Sequence, residues 1–141
     1  MTETVSIRSF HVIVDAPAEV IFDFVQDLRN LPSWAFHFCK SVRLIADGAM
    51  IQTPLGELYF GITADRDLGV LDWWCGPTME SAERWPTRVV PLPDGRSLYH
   101  VTAIFNGVVP ANIDAHFADE LAALKRLAED QVVAAWEQGA R

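Results

Sequence analysis

The sequence predicts an α+β fold in which a curved antiparallel sheet closes against one long C-terminal helix. Three observations carry this prediction. Segments rich in β-branched and aromatic residues, separated by turn residues, fill the chain from Phe38 to Phe105. An isolated strand pattern and a helical segment precede them. A helical apolar repeat then occupies Ile113–Glu137. Strand, helices, meander and terminal helix in that order place the helices on one side of a sheet.

Ser6 to Val14 ends in "FHVIV" and reads as the first strand. In "DAPAEVIFDFVQDL", Pro17 suits a first helical turn, Glu19 meets the positive end of the dipole, and Val20, Ile21, Phe24 and Val25 fall at helical spacing. Asn30 and Pro32 break that register, so "RNLPSW" forms a second short helix or a turn that delivers Trp34. A meander of about six strands follows, including "AMIQT", "LYFGITA", "VLDWWC" and a last pair joined by "PDG", which makes six or seven strands in all. In the terminal helix Phe117, Leu121, Leu124, Ala128, Val132 and Ala135 recur every three or four residues, and Asn112 is suited to cap it. Pro and Gly fall singly at turns with no linker or repeat, so residues 1–141 are expected to form a single ligand-binding domain. A bent sheet wrapped around one helix leaves room for a pocket between them.

The chain has 141 residues and a formal charge of −8, which opposes binding to nucleic acid or anionic lipid. No apolar run reaches membrane-spanning length, and "MTETVSIRSF" lacks the apolar core of a secretory signal. Cys39 and Cys75 form no CxxC, HExxH is absent and the four histidines have no paired spacing, so no metal is expected. Without GxGxxG, GxxxxGK[ST] or GxSxG there is no case for a nucleotide cofactor or a serine nucleophile, and the expected cofactor set is none. A reducing cytoplasmic location fits these features.

"VDAPAEVIFDFVQDLRNLPSW" resembles the opening of SRPBCC proteins, the helix-grip superfamily that includes START domains, the birch-pollen allergen group and polyketide cyclase/dehydrase-like proteins. "VLDWW", "TRVVPLPDG" and "FADELAALKRLAED" resemble the last of these groups. The resemblance covers nearly the whole chain and implies a fold that binds small hydrophobic molecules, with cyclisation or dehydration in some members. Where many relatives carry a His after the Asp of "VLDWW", this chain has Trp73.

Pro93-Asp94-Gly95 suits a type I turn with a Gly bulge that pairs Leu92 with Arg96. Counting outward puts Arg88 opposite His100, so Arg88, Val90, Leu98, His100, Thr102 and Ile104 share one face. The other face, with Tyr99, Val101, Ala103 and Phe105, is equally apolar. The mixed polarity of the His100 face favours it as the pocket lining. A preceding turn centred on Met79 sets Asp72 opposite Pro86, one diagonal step from Arg88. Asp72, Arg88 and His100 are therefore the candidate catalytic residues, with His100 as proton carrier, Arg88 steadying a carbonyl or enolate oxygen and Asp72 orienting Arg88. Trp34, Tyr59, Trp74, Leu98, Thr102, Ile104 and Leu124 are the candidate ligand-binding residues.

Three functional readings stay open: a binding protein with cyclase or dehydratase activity, a carrier or sensor of a hydrophobic ligand, and a protein-interaction domain of the chaperone-activator type. The expected partner is a small hydrophobic molecule, with no nucleic acid and no membrane insertion. Exposed strand edges add a homodimer as a further expectation.

Overall fold

Strand β1 (Val5–Val14) leads into α1 (Ala18–Gln26), a 3-10 turn (Leu28–Asn30) and the short α2 (Leu31–Trp34). The strands β2 (Ser41–Ile45), β3 (Gly48–Thr53), β4 (Gly56–Asp65), β5 (Val70–Gly76), β6 (Glu83–Trp85), β7 (Thr87–Pro91) and β8 (Ser97–Asn106) follow, and α3 (Ile113–Gly139) ends the chain. The computed structural model describes residues 4–139. The expected domain span also includes residues 1–3 and 140–141, which lie outside the described residues.

Local chemistry sets the breaks between the first helices. Asp27 leaves helical dihedrals and its side chain accepts the Arg29 N–H, which starts the 3-10 turn. Pro32 occupies the first turn of α2, where its missing N–H costs nothing, and the turn buries Trp34. Helix α1 presents Ile21, Phe22, Phe24 and Val25 to the core.

The sheet order is β1-β8-β7-β5-β4-β3-β2, with β6 paired to β5. All pairings are antiparallel, and β1 pairs with β8 from Val5↔Asn106 to Val14↔Ser97. This is the helix-grip architecture. Among the described residues it has eight strands rather than six or seven because Pro86 cuts one expected strand into β6 and β7. Both pieces keep one register against β5, with Trp73↔Trp85 and Val70↔Arg88. Proline cannot donate to the ladder, and opposite it the Asp72 carboxylate accepts the next N–H, that of Thr87, at 3.0 Å.

The turn before β5 depends on Gly69, whose φ is +67° and whose carbonyl accepts the Val89 N–H at 2.8 Å. A methyl group here would overlap the Val89 carbonyl. Gly69→Ala is expected to destabilise the protein by about 2 kcal/mol or more, read as a lower urea midpoint at unchanged slope. A midpoint equal to the parent's would contradict this account of the turn.

The core lies between the concave face of the sheet and the three helices. Phe60, Leu71, Val89, Val101 and Ala103 face inward from the strands, and Phe117, Leu121, Leu124 and Ala128 meet them from α3. Among the described residues no helix is long and apolar enough to cross a membrane.

Candidate functional site

Side-chain parity decides which face of the last hairpin points inward. Thr87, Val89, Ser97, Tyr99, Val101 and Ala103 are buried, while Arg88, Val90, Leu98, His100, Thr102 and Ile104 are half-buried or exposed. The Tyr99 face therefore lines the space under α3, and the expectation of an inward His100 face is corrected. Both faces are apolar, and what separates them is the small residues. Ala103, Ser97 and Thr87 are buried on the face of β7 and β8 that meets α1, and the outer surface carries Arg88, bonded to Asp72, and the half-buried His100.

The space under α3 is lined by aromatic rings in contact. Phe60 and Trp73 lie 5.6 Å apart, Trp73 and Trp85 6.2 Å, Trp85 and Phe117 6.1 Å, and Phe10 stacks on Phe117 at 4.2 Å. Trp34 meets Trp73 at 5.6 Å and Tyr99 at 6.1 Å, edge to face in both cases. The apolar hollow expected from the sequence is thus largely occupied by rings. Three polar atoms within it have no hydrogen-bond partner: Trp34 Nε1, Trp73 Nε1 and Tyr99 Oη. Trp34 is 1% exposed, Trp73 6% and Tyr99 0%. A buried donor left unpaired costs about 1–3 kcal/mol, and native cores contain few of them. Burial pushes the Tyr99 hydroxyl well up. The Trp73 N–H beside it opposes that rise without reaching hydrogen-bond geometry, and Glu120 adds to it.

Glu120 is the acid of this region. It projects from α3 on the buried stripe and is 5% exposed. Its Oε2 accepts the backbone N–H groups of His37 at 3.0 Å and Phe38 at 3.2 Å, which latches the segment after α2 onto α3. Burial pushes its pKa up to about 7, against the lowering effect of the two N–H bonds and of the nearby His37 and Lys40. At the rim the His37 Nε2 lies 2.9 Å from Asp119 Oδ2, and its ring stacks on His116 at 4.1 Å. A buried carboxyl that exchanges its proton near neutrality, in a region that also holds unpaired donors, has the properties of a general acid or base.

Of the residues singled out from the sequence, Trp34 and Leu124 lie in this interior, both buried. Asp72, Arg88 and His100 do come together, but on the outer face. Arg88 Nη1 donates to Asp72 Oδ1 at 2.8 Å, Arg84 lies 3.9 Å from Asp72 Oδ2, and His100 sits opposite Arg88. Leu98, Thr102 and Ile104 share that outer face, so their expected inward placement is corrected with it. Tyr59 and Trp74 are also on the outer side, flanking an open cleft of about 420 Å³. Trp73, next to Trp74 with opposite parity, is the tryptophan that faces inward. Glu120 and Tyr99 escape the sequence reading: one resembles an ordinary helix carboxylate, and the other lies on the face judged outward.

Burial raises the thiols of Cys39 and Cys75 to about 11, so neither is a nucleophile at neutral pH. Among the described residues no group of three or more His, Cys, Asp and Glu is placed to hold a metal ion.

In fold the chain is similar to the Zhui aromatase/cyclase from Streptomyces sp. R1128, with a TM-score of 0.75 and 13% identity over 92% of this chain and 96% of that one. It is similar to a Thalictrum norcoclaurine synthase, with a TM-score of 0.66 and 12% identity over 93% and 98%. A START superfamily protein from Mycobacterium smegmatis gives a TM-score of 0.58 and 16% identity over 91% and 97%. No family model matches the chain, and no curated protein matches it in sequence. At such identities the likeness establishes the fold and leaves the chemistry to the residues.

Proposed function

We propose that this helix-grip chain binds a small, largely apolar ring molecule bearing one acceptor oxygen, held between the sheet and α3. The observation that carries this reading is the trio of buried donors without partners, Trp34 Nε1, Trp73 Nε1 and Tyr99 Oη. An oxygen acceptor would relieve their desolvation cost, and the surrounding rings would hold the apolar body. The donors are closed off from solvent, so the ligand is admitted when a covering segment moves. The stretch from Phe36 to Cys39, latched to α3 through Glu120, is the candidate lid.

The same groups suit enolate chemistry of the cyclase or dehydratase type. The Tyr99 hydroxyl and the Trp73 N–H beside it can stabilise a developing oxyanion, and Glu120 can carry the proton. On this reading Glu120 takes the part expected of His100.

Titration with 1-tetralone and with tetralin, the same bicycle without oxygen, followed by tryptophan fluorescence, tests the binding. The ketone is expected to bind about tenfold more tightly than the hydrocarbon, and Tyr99→Phe to remove much of that preference while His100→Gln leaves it intact. Equal affinity for the two compounds, or a preference that depends on His100, would overturn the reading.

A further inference from the structure

A second candidate site opens at the edge of the sheet, where the segment after α1 meets the β2–β3 turn and β4. Strand β3 accompanies β4 only as far as Ala49↔Phe60, so from Gly61 onward β4 has β5 on one side and no strand on the other. The cleft of about 420 Å³ sits at this notch. Tyr59 and Trp74 flank it across Gly61, which pairs with Trp74 and, lacking a Cβ, leaves room for the Tyr59 hydroxyl. Met79 and Leu28 extend its apolar wall.

The polar ends of both rings are already engaged. The Tyr59 hydroxyl donates to the Asp47 carbonyl at 2.6 Å, and Trp74 Nε1 donates to Thr63 Oγ1 at 2.9 Å. Tyr59 is buried against Gly48 and Gly61, so the half-buried Trp74 supplies the aromatic surface of the cleft, and neither ring offers a free donor. The Tyr59 bond also fixes the β2–β3 turn, which places Asp47 at the rim. Among the described residues Asp47 is the only formally charged one in the lining, and no lysine or arginine lines the cleft. Arg84 stands 5.8 Å over the Trp74 ring but outside the lining, and it is drawn toward Asp72 at 3.9 Å. Electron-rich ring surface, one carboxylate and a chain of charge −8 select a cation. The volume matches a two- or three-ring molecule.

We propose that this cleft is a binding site for a planar aromatic cation, stacked against Trp74 with its positive charge directed at Asp47. It is independent of the buried donors under α3 and would persist if that site proved empty.

Fluorescence titration of the full chain with proflavine, a planar cation, against acridine at pH 8, where that ring is uncharged, tests the proposal. Proflavine is expected to bind at least about fivefold more tightly than acridine. Asp47→Asn should weaken proflavine about fivefold and Trp74→Ala about tenfold, while Trp74→Phe retains most of the affinity and Tyr99→Phe all of it. Far-ultraviolet circular dichroism identifies any variant that fails to fold, and Asp47→Asn, at an exposed turn, keeps the charge test decisive if Trp74→Ala does not fold. Absence of proflavine binding, equal affinity for acridine, or affinity unmoved by Asp47→Asn would each overturn the proposal.

Discussion

Asp72→Ala is expected to lower the unfolding free energy by about 3 kcal/mol. Asp72 is 7% exposed, and one of its oxygens takes two bonds, from the Thr87 N–H at 3.0 Å and from Arg88 Nη1 at 2.8 Å. Thr87 is fully buried at the point where Pro86 interrupts the strand. Alanine would leave that N–H without an acceptor and free the arginine from its partner. Asp72→Asn keeps an acceptor oxygen and removes only the charge, so it should cost about 1 kcal/mol. Urea unfolding of the two variants separates the cases. An alanine variant as stable as the asparagine one would mean that the carboxylate does not tie β5 to β7.

Glu120→Gln is expected to abolish a fall in stability of about 3 kcal/mol between pH 4.5 and pH 7. The sign follows from proton counts. With its pKa raised to about 7 by burial, Glu120 in the folded chain keeps a proton that the unfolded chain has lost across this window. The folded state binds more protons there, so stability declines as pH rises and levels off above about 7. Glutamine mimics the protonated carboxyl and can still accept the His37 and Phe38 N–H bonds. The variant should match the parent near pH 4 and exceed it at pH 8. Asp27 and Asp94, lowered by hydrogen bonds from Arg29 and Arg96, act with opposite sign but below the ordinary carboxylate range, outside this window. Parallel urea titrations at pH 4, 6 and 8 read the effect, and parallel slopes for parent and variant would refute a raised Glu120.

Where turn chemistry and periodicity act locally, the fold is legible in the sequence. Pro93-Asp94-Gly95 makes the turn its residues require, with Gly95 at φ +87° and the Leu92 N–H on the Arg96 carbonyl at 2.8 Å, and it sets Arg88 against His100. The turn centred on Met79 puts Asp72 opposite Pro86, in the register that Trp73↔Trp85 and Val70↔Arg88 define. Which face of these strands looks inward is a tertiary property. A strand apolar on both faces offers parity without direction, so His100 and Arg88 exchange places with Tyr99 and Val89. Pro86 could have announced the break between β6 and β7. Glu120 did carry a signal: with Phe117, Leu121 and Leu124 it falls at i, i+3, i+4 and i+7 on the apolar stripe, where a carboxylate has to be buried.

On the proposed function, the unpaired donors beneath α3 receive an oxygen acceptor. Indole N–H resonances report on it directly, because Trp74 Nε1, on the outer face and bonded to Thr63 Oγ1 at 2.9 Å, serves as an internal control. On saturation with 1-tetralone the Trp34 and Trp73 indole protons should move downfield while that of Trp74 stays in place. Ketone binding that shifts only Trp74, or leaves all of these resonances unmoved, would contradict the account.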